Sequence, residues 1–201
     1  MLEFNLARKK KYNGAPAFIG GSAFDGPSSG SVLMPSGLQA GDFLLIFADA
    51  VGVVNVPSGW TRFSSTTWSY GYNRALLYKI ATGGETNFTI TQSSSYEIIG
   101  CIVAYRGPTQ VVAYANQEQS VNYSYASLTA TANNSTFVTH ASDRSPTIPT
   151  YPAGEASRVN YLGLYFGIRT ADELVNAGPT GTRAANGGSV YNGYMSNVLI
   201  A

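Results

Sequence analysis

The spacing of hydrophobic and polar residues follows the period of β-strands throughout the chain. Asp42–Ala50 and Tyr96–Tyr105 are nearly continuous apolar runs, which are typical of strands covered on both faces. Asn87–Thr91 alternates strictly, with Phe88 and Ile90 on one face and threonines on the other. Glycine and Pro-Ser-Gly clusters separate these runs, and no amphipathic helical stretch of useful length lies between them. The pattern therefore predicts strands and turns.

Two further segments complete the main predicted strands. Arg74–Ile80 is mostly apolar and is interrupted only by Lys79, whereas Tyr161–Ile168 alternates between leucine, phenylalanine or isoleucine and tyrosine or glycine. Many short strands separated by glycine-rich turns predict an all-β fold, which we describe as a jelly-roll-like antiparallel β-sandwich. We assign residues 15–201 to a single β-sandwich domain, because a chain of this length can bury its core without disulfides.

Residues 1–14 are predicted to form a short extended N-terminal arm. Its apolar residues Leu2, Phe4 and Leu6 alternate, so the arm could add as a strand to a neighbouring sheet. Four of the twelve Lys and Arg residues of the chain follow them, at Arg8, Lys9, Lys10 and Lys11. This basic cluster is interpreted either as solvated or as a contact with an acidic patch of a protein neighbour. The net charge of +1 disfavours a third reading, contact with nucleic acid.

A weak internal repeat suggests two related halves, residues 30–107 and 145–201. In the first half, Pro35–Asp42 leads into an apolar strand and Pro57–Arg62 follows it. In the second half, Ile148–Glu155 and Pro179–Arg183 have similar turn residues. Two similar sets of strands could form the facing sheets of one sandwich. The open alternative is that Pro-Gly turns before strands look alike in unrelated segments. The polar, proline-bearing stretch 133–156 between the halves is predicted to be a long connection with some extended structure.

The composition favours a protein whose surface is covered by neighbours. Charged residues make up 11% of the chain, against about 25% in an ordinary soluble domain, and 14 residues are tyrosine. Interfaces favour Tyr and disfavour Lys and Glu, although a secreted binding module has a similar composition. No apolar segment follows the basic cluster as a secretory signal requires, and no run approaches a membrane span. We therefore expect synthesis in the cytoplasm without a cleaved export signal.

Four motifs in the first half resemble a recurrent structural module of phages and prophages. In chain order they are Gly37–Asp42 (GLQAGD), Pro57–Thr61 (PSGWT), Leu77–Glu85 (LYKIATGGE) and Ala104–Gly107 (AYRG). Their order and spacing match over about residues 35–107, and the second half resembles the module more faintly, without a second copy of the last two motifs. No single motif is specific, but the four together are fairly so.

The resemblance implies a virion structural protein that assembles in the cytoplasm of a bacterial host. Proteins with this module include capsid decoration proteins and tail or fibre proteins, and no catalytic residue or cofactor accompanies it. We expect a capsid decoration or cement protein that contacts the major capsid protein or other virion proteins as a homo-oligomer, with a trimer favoured. The alternative is a tail, fibre or baseplate component that binds a host receptor or glycan.

The residues offer little chemistry, and the chain is not expected to be an enzyme. His140 is the single histidine, so metal sites and a Ser-His-Asp triad have no support, and it is predicted to be a solvated loop residue. Cys101 lies in an apolar run and is predicted to be a buried, inert thiol. Most acidic residues follow glycines at turns, which disfavours the carboxylate pair of a glycan-cleaving enzyme.

Aromatic residues supply the remaining candidate contacts. One set could stack on sugar rings, form a subunit interface or belong to the core, and it comprises Trp68, Tyr70, Tyr72, Tyr123 and Tyr125. Tyr161 and Tyr165 share the glycine-bearing face of the last alternating segment. We include these two residues, with the basic cluster, among the predicted contacts with virion partners.

Overall fold

The computed structural model describes residues 15–68, 71–119, 122–143, 150–163, 166–186 and 193–201. The described residues form strands and turns and no α-helix. The strands are β1 (Ala17–Gly26), β2 (Ser29–Val32), β3 (Phe43–Ala50), β4 (Thr61–Thr67), β5 (Asn73–Ile80), β6 (Phe88–Thr91), β7 (Ile98–Arg106), β8 (Val111–Gln119), β9 (Asn122–Tyr125), β10 (Thr129–Ala130), β11 (Ser135–Asp143), β12 (Ala156–Leu162), β13 (Gly167–Val175), β14 (Gly178–Pro179), β15 (Arg183–Asn186) and β16 (Gly193–Ile200).

Two five-stranded antiparallel sheets form the centre of the molecule. Sheet 1 has the strand order β1-β7-β3-β5-β4, and sheet 2 has the order β12-β13-β11-β16-β8. Their inner faces pack together through one apolar cluster, which includes Phe47 and Leu76 from sheet 1 and Val138 and Val198 from sheet 2. The prediction of an all-β antiparallel sandwich is confirmed. The predicted arm, residues 1–14, lies outside the described residues.

Smaller sheets cover the outer faces of both large sheets. The β2–β6 pair packs Val32 and Ile90 over the outer face of sheet 1. The pairs β9–β15 and β10–β14 cover sheet 2 with residues such as Tyr125 and Leu128. Central strands are therefore enclosed on both sides, and β3 is buried at every position. This confirms the interpretation of the 42–50 run as a strand covered on both faces, since only an alternating strand leaves one face in water.

The two large sheets have the same connectivity. If the five strands of each sheet are counted in chain order, they lie side by side in the order first, fifth, second, fourth and third. Both third strands bulge at their third residue, Phe63 in β4 and Arg158 in β12, and both first strands bulge near their start. The structural halves are thus residues 17–106 and 111–200, which face each other as the sequence repeat suggested.

The pairing of segments between the halves differs from the sequence-based alignment. Pro57–Trp60 corresponds to Pro152–Glu155, because each turn precedes the third strand and closes with an N–H···O=C bond from its fourth to its first residue. The glycine of each turn has a positive φ, 79° at Gly59 and 93° at Gly154. β16 corresponds to β7 by its place in the sheet. Short Pro-Gly turns recur too often to fix the alignment alone.

Two predicted segments are wrong. The predicted connection 133–156 contains β11, a full strand that lies at the centre of sheet 2 and is buried throughout. Its composition resembled a loop because Thr139, His140 and Ser142 are polar, but each of them bonds to a buried partner. The alternating segment 161–168 is a hairpin, in which β12 ends at Leu162 opposite Gly167 of β13 and Gly163 N–H donates to the Phe166 carbonyl. The alternation of large apolar residues with tyrosine or glycine continues unchanged where the chain reverses direction, so the alternation cannot reveal the turn.

Candidate functional site

A fully buried ion pair lies on sheet 1 and faces sheet 2. The register of β3 and β5 places Asp49 directly opposite Arg74. Arg74 donates from Nε to Asp49 Oδ1 at 2.6 Å and from Nη2 to Oδ2 at 2.7 Å, and the two side chains are 0% and 2% exposed. Burial would raise the pKa of Asp49, but the guanidinium of Arg74 holds it well below its usual value. The pair is therefore ionised within the core.

Sheet 2 completes the hydrogen bonds of this ion pair. Arg74 donates to Ser196 Oγ at 2.9 Å, to Ser142 Oγ at 2.8 Å and to the Tyr194 carbonyl at 2.9 Å. Ser142 Oγ donates in turn to Asp49 Oδ2 at 2.7 Å. A buried charge is tolerated when its remaining donors and acceptors are satisfied in this way. The network ties the two sheets to one relative position.

His140 lies beside this network rather than in a solvated loop. The ring is 0% exposed and stacks on the Phe47 ring with centroids 4.5 Å apart. Phe47 in β3 and His140 in β11 occupy equivalent positions in the second strands of the two halves. Its Nδ1 lies 2.9 Å from Thr170 Oγ1, and its Nε2 lies 3.8 Å from Asp49 Oδ2. Burial lowers the pKa of His140 to about 4, so the ring is neutral at pH 7. The prediction of solvent exposure was wrong because β11 was interpreted as a connection.

Cys101 completes a Cys-Thr-His-Asp arrangement without access to solvent. Its Sγ lies 3.1 Å from Thr170 Oγ1 and 3.5 Å from His140 Nδ1. Burial raises the pKa of the Cys101 thiol to about 12, which confirms the predicted buried and inert thiol. A nucleophile must reach a substrate atom, but Cys101, His140 and Thr170 are all 0% exposed. The geometry supports a packing role.

A surface cleft of about 400 Å³ lies where β1 meets sheet 2. Asp172 forms its polar centre, accepting a hydrogen bond from Tyr105 Oη at 2.7 Å and pairing with Arg158 at 2.8 Å. The Arg158 guanidinium also lies 4.6 Å from the centroid of the Phe18 ring. Each charge in this set is already paired within the chain. The cleft thus resembles a polar seam between the two halves.

Glu155 is a buried carboxylate on the outer face of sheet 2. It is 6% exposed, its Oε2 accepts a hydrogen bond from Thr139 Oγ1, and its Oε1 has no hydrogen-bond partner among the described residues. Burial raises the pKa of Glu155 to about 7, and the nearby carboxylate of Glu173 acts in the same direction. Glu155 occupies the position that Trp60 occupies in the first half, so the two outer faces differ in polarity at this point.

The structure separates the aromatic residues that sequence analysis had grouped. Tyr72, Tyr123 and Tyr125 are 6%, 1% and 3% exposed, so none of the three offers a ring face for sugar stacking, and all belong to packed clusters. Trp68 is half-buried against Tyr194 with ring centroids 5.8 Å apart. Tyr72 and Trp68 pack into the cluster between the two large sheets, whereas Tyr123 and Tyr125 belong to the β9–β15 layer that covers the outer face of sheet 2.

The remaining predicted contacts are only partly described. Tyr161 is half-buried and donates from its hydroxyl to Asp25 Oδ2 at 2.7 Å, which joins β12 to β1. The other predicted contacts lie outside the described residues: Tyr70, Tyr165, Arg8, Lys9, Lys10 and Lys11.

Sequence analysis missed the ion pair at the centre of the core. The available signal was a charged residue inside each of two apolar runs: Asp49 in the 42–50 segment, which also begins with Asp42, and Arg74 in the 74–80 segment, which also contains Lys79. Charges of opposite sign in two buried strands indicate a pair, because an unpaired buried charge is too costly. A second ion pair joins Arg106 to a turn carboxylate, since Arg106 donates to Asp42 from Nε and from Nη2, both at 2.9 Å.

Comparisons of the chain with protein-family models, curated proteins and solved structures find no match. Within the described ranges, no group of three or more His, Cys, Asp or Glu residues could hold a metal ion. The same residues include no helix that is long and apolar enough to cross a membrane.

Proposed function

We propose that the chain is a bacteriophage virion structural protein, of the kind that decorates and cements a capsid. The carrying observation is a set of large apolar side chains, 43% to 68% exposed, on a protein with only 11% charged residues. The set comprises Leu33, Val53, Phe63, Tyr96, Leu162 and Leu174. Exposed apolar residues with few charges suit a surface that neighbours cover in an assembly.

The core supports the same proposal. A cement protein contributes by binding the assembled shell and stabilising it through mass action, so its own shape must persist while the partners associate. The network of Arg74, Asp49, Ser142 and Ser196 joins the two sheets and favours one fixed arrangement of the exposed side chains. Partners are then the major capsid protein or other virion proteins, with the chain acting as an oligomer such as a trimer and without catalysis.

A tail, fibre or baseplate component that binds glycans is the second candidate, and Tyr96 favours it. This side chain is 68% exposed in the β6–β7 loop. The loop bonds to the β3–β4 loop through Val53 N–H to Ser93 Oγ at 2.9 Å, and Asn55 is bonded to Thr91 nearby. An exposed ring surrounded by hydroxyl and amide groups suits sugar stacking better than the buried tyrosines do.

Immunogold electron microscopy of particles of the encoding phage tests the proposal. An antibody raised to the recombinant chain should label the head evenly, while the pre-immune serum serves as the control. Label confined to the tail or its tip would overturn the capsid proposal in favour of the second candidate. Unlabelled particles, with the epitope shown to be accessible by a capsid-independent assay, would refute a place in the virion.

A further inference from the structure

The two lateral sides of the sandwich are closed to different degrees. On one side, the edge strands β1 and β12 pack tightly: a Cβ on Gly21 would lie 2.8 Å from Val159 Cγ2, and Tyr161 bonds to Asp25. On the other side, the edge strands are β4 and β8. There Asn116 Nδ2 donates a hydrogen bond to Thr66 Oγ1 at 2.6 Å. The Phe63 ring also contacts the Tyr114 ring edge-on, with centroids 6.1 Å apart. Phe63 remains 43% exposed.

Strand β4 has few of the features that protect the edge of a sheet. Among the described strands of sheet 1, it pairs with β5 alone. Its one charged residue, Arg62, donates to the Val54 carbonyl and is thereby directed to the outer layer. Beyond the bulge at Phe63, residues 64–67 contain neither charge nor proline. An edge of this kind is a template for pairing with another strand.

We propose that the β4 edge of one copy receives residues 2–6 from the N-terminal arm of a second copy. Leu2, Phe4 and Leu6 alternate, so a strand added beside β4 would direct all three toward one face of sheet 1. On the inner face, Phe63 and Tyr114 supply an apolar surface for them. The inference deepens the proposed homo-oligomer, and so rests on the proposed function, by naming the segment and the edge that join its copies.

The position of the arm favours exchange between copies. The arm leads into β1, which lies at the opposite edge of sheet 1 from β4, four strand spacings or about 19 Å away. An arm pairing with its own β4 would first have to cross the end of that sheet. In a head-to-tail arrangement, the β1 edge of one copy, where its arm begins, faces the β4 edge of the next copy. The residues between Leu6 and Ala17 can span up to about 36 Å. Such a contact is heterologous and closes into a ring when its rotation permits.

Engineered cysteines test the exchange in the full-length chain. Phe4→Cys and Ser64→Cys are made in separate chains, one of which carries a size tag, and the two are mixed under a mild thiol oxidant. Ser64 lies opposite Leu76 and therefore shares the inner face of sheet 1. We expect a disulfide-linked heterodimer on a non-reducing gel, because position 4 would lie beside β4. The native Cys101 is buried and gives little background. The matched control pairs Phe4→Cys with Leu162→Cys, which is 51% exposed on the opposite side and should give several-fold less product.

Three results would overturn the exchange. Equal cross-linking to positions 64 and 162 would mean random collision, and no cross-linking to either would mean that the arm does not reach β4. An intrachain disulfide in a double Phe4→Cys/Ser64→Cys chain, formed equally at high dilution, would make the occupant the arm of the same copy. Each variant is first checked for an unchanged unfolding midpoint. Because the assay uses purified chain without particles, its failure is distinguishable from a failure of the virion assignment.

Discussion

Two buried titratable residues oppose each other in the dependence of stability on pH. The pKa of His140 falls from 6.5 to about 4 on folding, so its contribution is fully present above pH 6.5 and is lost as the pH falls toward 4. The pKa of Glu155 rises from 4.5 to about 7, so its contribution is present below pH 4.5 and is lost as the pH rises through 7. Between pH 4.5 and 6.5 the two effects have opposite signs and comparable size.

Single substitutions should therefore reveal opposite slopes that the natural chain conceals. With Glu155→Gln, the unfolding free energy should fall by roughly 2 to 3 kcal/mol from pH 6.5 to 4.5, because Glu155 no longer offsets the uptake of a proton by unfolded His140. With His140→Gln, it should rise by a similar amount over the same interval. Urea unfolding followed by tryptophan fluorescence at each pH measures both. Parallel slopes in the two variants would contradict the opposing assignment.

At the scale of elements, the turns were the best-predicted features. The turn before β3 was expected at Gly41–Asp42, and Gly41 has a φ of 95° there. Its counterpart before β11 is Asn134, with a φ of 59°, and Asn tolerates this region better than most residues. Glu85 likewise closes its predicted turn by accepting from the Thr82 N–H at 2.6 Å and the Gly83 N–H at 2.9 Å.

Adjacent glycines in this second turn provide a matched pair of variants. Gly83 has a φ of 91°, and a Cβ there would lie 3.1 Å from the Ala40 nitrogen, so Gly83→Ala should destabilise the fold by about 1 to 3 kcal/mol. Gly84 has a negative φ and open space, so Gly84→Ala should be neutral or stabilising by up to about 1 kcal/mol. Thermal and urea unfolding of both variants check the difference. Similar losses in the two would show that backbone conformation is not the cause.

For the whole molecule, the network around Arg74 determines how the two halves fit together. Asp49 and Arg74 belong to sheet 1, whereas Ser142, Ser196 and the Tyr194 carbonyl belong to sheet 2. Apolar packing between the sheets is non-directional, but hydrogen bonds to a planar guanidinium require one geometry. The bonds thus add a specific alignment to the inter-sheet core.

Removing one member of the buried ion pair should cost more than removing both. Arg74→Met leaves Asp49 charged and without its partner in the core, so we expect a loss of about 3 to 5 kcal/mol in unfolding free energy. The double variant Asp49→Leu/Arg74→Met should lose less, because no buried charge remains. Arg106→Met is the control, since Arg106 is 30% exposed beside Asp42 and should cost about 1 kcal/mol. A double variant as unstable as the sum of its singles would contradict the coupling.

The edges of the large sheets also reflect the molecule as a whole. All four edge strands carry a bulge, in equivalent places in the two halves, at Ile19, Phe63, Val112 and Arg158. A bulge disrupts the edge only locally, so residues 64–67 of β4, beyond its bulge, keep a regular register with β5. Sequence periodicity gave no sign of the bulges, because a bulge adds one residue without changing composition.

The amino-acid sequence alone determined the all-β class, the doubly covered strands that were predicted at 42–50 and 96–105, the main turns and the buried cysteine, because each depends on local burial and backbone preference. Only the tertiary structure decided that β11 is a core strand and that His140, Tyr123 and Tyr125 are buried. The hydrogen bonds that allow polar residues to be buried here join positions that are distant in the chain. Asp49 and Ser142 are 93 residues apart, and Arg74 and Ser196 are 122 residues apart. A polar residue is read as exposed until its partner is known, and here the partners lie on the opposite sheet.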